Sequence, residues 1–453
     1  MNKKRISRSV GAITILLFFL ILLFSRADES LQSAILNPLL LHFFGSIDEA
    51  LLPKMSIISS VIILVSSVSM AIAGVFADRT SRKWICFSGI LIYAIFSLLT
   101  VFTPSAQGGY IFFFIVRALN GIGIGAITPT IFSMVGDTAK PDKRTRAFAY
   151  INIALGVGQL VGMVIGGLMQ DTWRLAYGII GGAGLVLAVL LIFRPEPQRG
   201  GAEDELQAIK GAAYIYKFEF SDFKKIWSNK TNFWLIANFV DTIPSGIIIF
   251  LLYKYLQDEK NMDPEITIII VLLAFIAGFF GTFIFGWIGD RWFRKNKRAK
   301  VILALFCNGF PVIFFIAFLL TDFYVPDEAT LAEALAAPGV AFAVGSLVIL
   351  MAINQGVGPN WDSTLTDVNL PEHRSTMIGI ATFMDLIGRT IGPLLAGFFA
   401  ATFSLQGAMW AAVGFWILNV VLWLPVFAHI KGDLKKTHEI LEERAKAMKS
   451  TQD

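Results

Sequence analysis

One pattern occurs twice in this chain, and the repetition limits its fold more than any other feature. Gly74-x-x-x-Asp78-Arg79-x-x-Arg82-Lys83 returns 212 residues later as Gly286-x-x-x-Asp290-Arg291-x-x-Arg294-Lys295. Both copies lie between long apolar stretches. A second pair, Asp137-x-x-x-Pro141-Asp142-Lys143-Arg144 and Asp367-x-x-x-Pro371-Glu372-His373-Arg374, repeats at an offset of 230. Without a gap, that offset also superposes Pro129 on Pro359, Gly158 on Gly388, Gly162 on Gly392 and Gly167 on Gly397. Two similarly folded halves are expected.

The apolar stretches say where those halves reside. The chain is 55% hydrophobic and 16% charged, with a mean hydropathy of +0.67, whereas soluble domains average about 25% charged residues. A membrane span needs about 20 mostly apolar residues. Twelve candidates meet this: 10–41, 55–76, 84–103, 109–134, 147–170, 174–193, 231–256, 266–288, 299–321, 338–362, 375–401 and 404–428. The first run is too long for a signal-peptide core and ends in no small-residue cleavage site, so it counts as a span. The expectation is an all-α membrane protein of two pseudo-symmetric six-helix bundles. They would cover 1–193 and 231–429, with an amphipathic linker over 194–230 and a charged tail, helical or solvated, over 430–453. Secondary transporters are commonly built this way, with the binding site at the interface of the halves.

Loop charges set the orientation. With both termini inside, the inward segments hold 31 of the 38 Lys and Arg. Outward loops hold Lys54, Arg174, Lys254 and Lys260, and spans hold Arg26, Arg117 and Arg389. This bias predicts cytoplasmic termini in the cell (inner) membrane. It also assigns the net charge of +5 to topology and anionic lipid rather than nucleic acid. Arg194-Pro195-Glu196-Pro197 ends the sixth span, and the aromatic and charged residues after it suit a surface-lying segment. Cys86 and Cys307, one in each half, are expected as free thiols in apolar packing. No disulfide, metal site or cofactor is expected, and the chain is taken as a monomer. No nucleotide loop, metal-spaced His/Cys cluster or nucleophile elbow occurs, which argues against an enzyme.

Residues 74–83 resemble the signature of the major facilitator superfamily, Gly-x-x-x-Asp-Arg/Lys-x-Gly-Arg-Arg/Lys between the second and third helices, with Ser81 in place of the second glycine. The weaker copy from Gly286 to Lys295 is also a family trait. The resemblance implies a gate on the inner surface. Gly74 and Gly286 would allow close helix approach. Asp78 with Arg79, Arg82 and Lys83, and Asp290 with Arg291, would form pairs that close that side and break when it opens. Asp137 with Arg144, and Asp367 with Arg374, would be companion pairs. The alternative is that the basic residues only anchor loops.

Charges inside spans are costly, about 2.5–3.5 kcal/mol each on insertion scales, and are therefore functional candidates. The first span carries Arg26, Asp28 and Glu29, and Asp241 occupies nearly the same place in the seventh. Helices one and seven face the central cavity in the family, so Asp28 and Asp241 are proton-coupling candidates. A static ion pair involving Arg26 is the alternative. Arg117, the one charge in Phe112–Leu119 of the fourth span, can bind an anionic headgroup or pair with Asp28 or Glu29. Asp385 and Arg389 stand four apart on one face of the eleventh span and can satisfy each other. Asn120, Asn152, Gln159, Asn354, Gln355, Asn360 and Trp361 are candidates for cavity polarity or for hydrogen bonds between helices. Gly121, Gly123 and Gly125 allow close packing.

Three segments are similar to the spinster branch, which is associated with lysolipid and sphingolipid-type amphiphiles. Asp28 falls where that branch has Asp-Arg, with Glu29 replacing the arginine. Asp78-Arg79-Thr80-Ser81-Arg82-Lys83 is close to its Asp-Arg-x-Asn-Arg-Lys. Arg117, Gly121, Gly123, Pro129 and Thr130 are similar to its fourth-helix pattern, but Ile124 stands where the branch has a glutamate associated with coupling, and the spacing to Pro129-Thr130 is three residues shorter. The implied function is proton-coupled alternating-access transport of an amphipathic, lipid-like or anionic molecule. Membrane lipid would be the other partner. The alternatives are a proton-antiporting exporter of hydrophobic cations, with Asp28 and Asp241 as binding charges, and a transporter-like receptor.

Overall fold

A computed structural model describes the backbone of residues 2–138, 141–197, 227, 229–326 and 329–450. Side chains are described there except at 2–12, 75, 78–79, 106–107, 136–138, 141–149, 371–372, 374–376 and 444–450. The side chains of Asp78, Arg79, Asp137, Arg144 and Arg374, and most of the linker, lie outside that description.

The described residues form helices and no strand, and divide into two units, Met1–Ala213 and Tyr214–Asp453. The first unit holds α1 (Asn2–Ala34), α2 (Leu36–Phe44), α3 (Leu52–Arg79), α4 (Arg82–Thr100), α5 (Ala106–Thr138), α6 (Pro141–Leu168) and α7 (Trp173–Ile192). The second opens with α8 (Lys230–Ala237), a 3₁₀ turn (Asn238–Asp241) and α9 (Thr242–Asp258). It continues with α10 (Pro264–Phe293), α11 (Ala299–Leu320), α12 (Leu331–Ala336), α13 (Val340–Asn354), α14 (Val357–Asp367), α15 (Pro371–Thr402) and α16 (Leu405–Ser450). Among the described residues, eleven segments are long and apolar enough to cross a membrane. Helices α1 and α2 fill the remaining expected span, whose apolar run is interrupted by Arg26, Asp28 and Glu29.

Glycine seams hold the first unit together, because lipid gives helices no hydrophobic reason to associate and close contact must supply the energy. Helix α5 packs on α3 through Gly121 and Gly125 and on α4 through Gly123. A Cβ at Gly125 would stand 2.1 Å from the Ser66 carbonyl oxygen, and one at Gly123 2.4 Å from the Tyr93 nitrogen. Helix α6 packs on α1 the same way, with Gly158 and Gly162 against Leu23 and Ala27.

The second unit repeats these contacts at the aligned positions. Gly388 and Gly392 of α15 meet Phe239, Thr242 and Gly246, as Gly158 and Gly162 meet α1. A Cβ added at Gly74 would stand 4.0 Å from the Pro129 Cβ, and one at Gly286 3.5 Å from the Pro359 Cβ. The sequence repeat is thus a repeat of packing.

Two expectations change, and two spans carry a feature the hydropathy does not show: the seventh and tenth, each still long and apolar enough to cross a membrane, contain a break in the helix. The breaks fall at Asn238–Asp241 and Gln355–Gly356, in each case beside the residue four before a proline, Pro244 or Pro359. Proline cannot donate to that residue's carbonyl and its ring crowds it. Lys254, placed in an outer loop with Lys260, is instead buried in α9 and pairs with Asp258 at 2.5 Å. The tail does not begin as a solvated segment either. Helix α16 runs unbroken from the last span, the Asp433 carboxylate accepts from the Thr231 N–H and hydroxyl at 3.0 and 2.6 Å, and Thr437 donates to the Val368 carbonyl.

The seam can be tested directly. Gly125→Ala is expected to destabilise the bundle by about 1–3 kcal/mol through overpacking. Gly156→Ala on α6, where an added Cβ meets nothing within 4 Å, is expected to be neutral or slightly stabilising. Thermal unfolding in detergent compares the two.

Candidate functional site

Four helices of the first unit converge on one buried ion pair. Arg117 of α5 and Asp28 of α1 are both fully buried, with Nη1 2.7 Å from Asp28 Oδ2. Nη2 donates to the Asp28 carbonyl at 2.9 Å. Ser97 of α4 donates to Oδ1 at 2.5 Å, and its oxygen lies 3.1 Å from the Tyr177 carbonyl of α7. The Tyr177 ring stacks on the guanidinium, 4.7 Å to its centroid, adding a desolvated cation–π contact. Burying two charges costs several kcal/mol per ion, and only good geometry with further hydrogen bonds offsets it. Here that compensation is incomplete, since Arg117 Nε and the hydroxyls of Tyr93 and Tyr177 are buried without partners. The cluster retains polar capacity for another group.

Arg26 and Glu29 bond each other across one turn of α1 at 2.5 Å and are partly exposed. The same-helix ion pair is therefore the arrangement adopted by Arg26. Glu29 remains within electrostatic reach of Arg117.

In the second unit Asp241 sits on the 3₁₀ break, where the chain passes from α8 to α9. Its Oδ1 accepts from Asn419 Nδ2 of α16 at 3.0 Å, and the same nitrogen lies 2.9 Å from Asn308 Oδ1 of α11. The Trp416 indole also lies against it. Asp385 of α15 acts electrostatically on Asp241. Arg389, one turn beyond Asp385, and Asp362 of α14 both act on Asp385.

Several polar candidates spend their groups on neighbouring backbone. Asn120, fully buried, donates to the Tyr93 carbonyl at 3.0 Å, and Asn360 to those of Gly356 and Phe285. Trp361 Nε1 reaches the Leu235 carbonyl at 2.8 Å. These bonds tie helices together. Asn354 is buried with Nδ2 unpartnered, Gln355 is exposed at the tenth-span break, and Asn152 is exposed on α6. The Gln159 carbonyl accepts from Ser30 at 2.8 Å.

The repeated motifs are built differently in the two units. Ser81 caps α4 by accepting from the Trp84 N–H, and also donates to Glu196. Glu196 accepts from the Arg82 N–H at 2.9 Å and lies 3.6 Å from Arg82 Nε. Arg82, nearly buried, further donates to Ser133 at 3.0 Å and to the Pro197 carbonyl at 2.8 Å. Lys83 donates to the Ile192 carbonyl at 2.7 Å. Desolvation pushes the Glu196 carboxyl upward, but the Ser81 and Arg82 donors outweigh it and hold the group below its ordinary value.

In the second unit Arg291 stacks on Trp287 and Arg294 is exposed. Lys300 of α11 takes the buried position instead. It bonds Asp367 at 2.7 Å, donates to Ser363, and lies 3.8 Å from Asp290. Asp367 thus has a partner the sequence reading did not name.

That reading also missed Ser97, Tyr177, Asn308, Asn419, Glu196 and Lys300. Asn308 and Asn419 did carry a signal, each being a lone amide in an apolar run. Ser97 carried none.

The sequence model of the Major Facilitator Superfamily matches residues 18–355. A hexuronate transporter of Bacillus subtilis (strain 168) is 26% identical over 355 residues, covering 75% of this chain and 78% of the relative. A sphingosine-1-phosphate transporter of Xenopus tropicalis is 25% identical over 424 residues, covering 87% and 76%. The crystal structure of a bacterial homolog of the human lysosomal transporter spinster superposes with a TM-score of 0.76 at 17% identity, over 94% of this chain and 98% of that one. A D-xylose–proton symporter gives 0.70 at 16% identity, over 92% and 98%. At these identities the two structures establish the fold alone. With a match running from the first span to the tenth, a helical fold shared with solved transporters and spinster-like relatives, the chain belongs to the Major Facilitator Superfamily and is a multi-pass membrane transporter.

Proposed function

We propose that this transporter couples proton movement to alternating-access transport of an amphipathic, lipid-like or other organic anion. It would be a monomer in the cell (inner) membrane with both termini cytoplasmic. The observation that carries the reading is the fully buried Arg117–Asp28 pair. An anionic headgroup can replace the carboxylate on Arg117. Asp28, deprived of its counter-ion in a low-dielectric site, then favours its neutral form and takes up a proton. When the headgroup leaves, Arg117 recovers Asp28 and the proton is released.

The substrates in the two relatives' names, a hexuronate and sphingosine-1-phosphate, both carry an anionic group, which fits an arginine at the head of the site. A hydrophobic-cation exporter fits less well, because Arg117 already neutralises Asp28. Asp241 and the Asp385–Arg389 group would supply the second unit's share of coupling.

Arg82 with Glu196, and Lys300 with Asp367 and Asp290, would close the cytoplasmic side. Gly74 and Gly286, packed on their prolines, would be the pivots. The roles of Asp78, Arg79, Asp137, Arg144, Arg291 and Arg374 in this gate are proposed from the resemblance.

Asp28→Asn is expected to abolish pH-driven uptake into proteoliposomes while substrate binding survives. Unchanged uptake would remove Asp28 from the mechanism. Competition by a lysolipid against a lipophilic cation decides the substrate class. Removing one partner of the pair strands a buried charge, at about 3–5 kcal/mol. Asp28→Asn/Arg117→Gln is therefore expected to melt above either single variant.

Glu196→Gln is expected to shift the population toward the inward-open state, read by double-label distances across the cytoplasmic mouth. The depressed Glu196 carboxyl fixes the sign with pH. Its contribution is complete above the ordinary value of 4.5 and is lost only as pH falls below it.

A further inference from the structure

Behind Asp241 lies a chain of two amides that the transport reading leaves unused. Asn419 Nδ2 has two protons, and its two acceptors, Asp241 Oδ1 at 3.0 Å and Asn308 Oδ1 at 2.9 Å, take one each. Both asparagines are fully buried. This arrangement leaves Asn419 Oδ1 and Asn308 Nδ2 buried without hydrogen-bond partners, an unfavourable condition away from water.

Those are the two atoms a reversed chain would use. With Asp241 ionised, the order is Asn419 N–H to carboxylate and Asn419 N–H to the Asn308 oxygen. With Asp241 protonated and both amides turned over, the Asp241 O–H donates to Asn419 Oδ1, and Asn308 Nδ2 donates to that same oxygen, which has two lone pairs. Each orientation satisfies one protonation state. No proton travels along the amides, since Asp241 exchanges its proton with water and the amides only rotate.

We propose that Asn419 and Asn308 are positioning residues that read the protonation state of Asp241 and carry it to α16 and α11 as a hydrogen-bond chain of reversible polarity. The proposal extends the proton-coupled reading of Asp241. Its location supports the role, because Asp241 lies on a broken span, where backbone constraints on movement are fewest. Helices α8, α9, α15 and α16 pack against the Asn238–Asp241 turn. Among the described charged groups on them, Asp385 acts on Asp241, with Arg389 acting on Asp385 in turn. Helix α16 offers Trp416 and Asn419, and α11 is linked to Asp241 through Asn419.

The test is infrared difference titration of the purified full chain in lipid nanodiscs. The carboxyl band of Asp241 is identified by its loss in Asp241→Asn, and is separated from that of Asp385 in an Asp385→Asn background. Asn419→Leu removes the donor that favours the carboxylate and is expected to move the midpoint up by about one pH unit or more. Asn308→Leu frees the Asn419 amide to turn and is expected to move it the same way by less. Asn419→Ser, which keeps a donor, is expected to return it toward the parent value.

A midpoint unchanged in Asn419→Leu overturns the proposal, as does an Asp241 band that never titrates over the stable pH range. If Asn419→Leu does not fold, Asn308→Leu decides by the same criterion. Uptake in Asp241→Asn separates this proposal from the one beneath it. If the pH dependence of uptake survives that substitution, Asp241 is not a coupling group, while the infrared shift still shows whether the amides read its charge.

Discussion

The Arg117–Asp28 pair dictates how the first unit is assembled. A buried ion pair in an apolar surrounding is tolerable only where its geometry is good and further hydrogen bonds meet most of its remaining valences. Here that requires α1, α4, α5 and α7 to stand within bonding distance of one another. Ordinary side chains at the contacts would hold those helices too far apart. The glycines of α5 and α6 remove that obstacle, with Gly121, Gly123 and Gly125 admitting α3 and α4 and Gly158 and Gly162 admitting α1. The glycine seams and the charge cluster are one design, since the first makes the second affordable.

The second unit keeps the seams and changes the charge. Gly388 and Gly392 reproduce the α6–α1 contact, and Pro359 meets Gly286 as Pro129 meets Gly74. Yet Asp241, about one turn from the position that matches Asp28 in these contacts, meets an amide where Asp28 meets a guanidinium. An amide donor favours a carboxylate without neutralising it, so the second acid has no stabilising full charge to give up. The packing surfaces repeat between the halves, whereas their buried charges are met by different partners.

Much of this was legible in the sequence. Eleven of the twelve expected spans fall on described helical segments long and apolar enough to cross a membrane, and the repeat predicted which glycines and prolines would be equivalent. Asp28, Arg117, Asp241 and Arg82 stood out because a charge in an apolar run, or one between two spans, has few bland explanations. Ser97 and Tyr177 did not, because a serine or tyrosine in a span is unremarkable until its neighbour from another helix is known. Asn308 and Asn419 lie 111 residues apart, and only folding joins them. The helix breaks were encoded by Pro244 and Pro359, but Pro129 lies inside an unbroken α5. A proline marks where a helix is able to open, while packing decides whether it does.

Ser81 shows how a departure from a family pattern can carry information. A glycine between the second and third helices would leave the loop free and the α4 N-terminus uncapped. Serine caps α4 through its oxygen and holds Glu196 through its proton. The start of the segment after α7 is thereby bonded to the start of α4, and Arg82 adds a second anchor through Glu196 and the Pro197 carbonyl. In the second unit the corresponding position is Phe293, which offers no hydroxyl. The buried cation there moves to Lys300 on the next helix, where the Phe293 ring stacks on it at 4.2 Å. Ser81 and Arg82 together fasten the first copy of the motif to the segment after its bundle, whereas Lys300 ties the second to neighbouring helices within its unit.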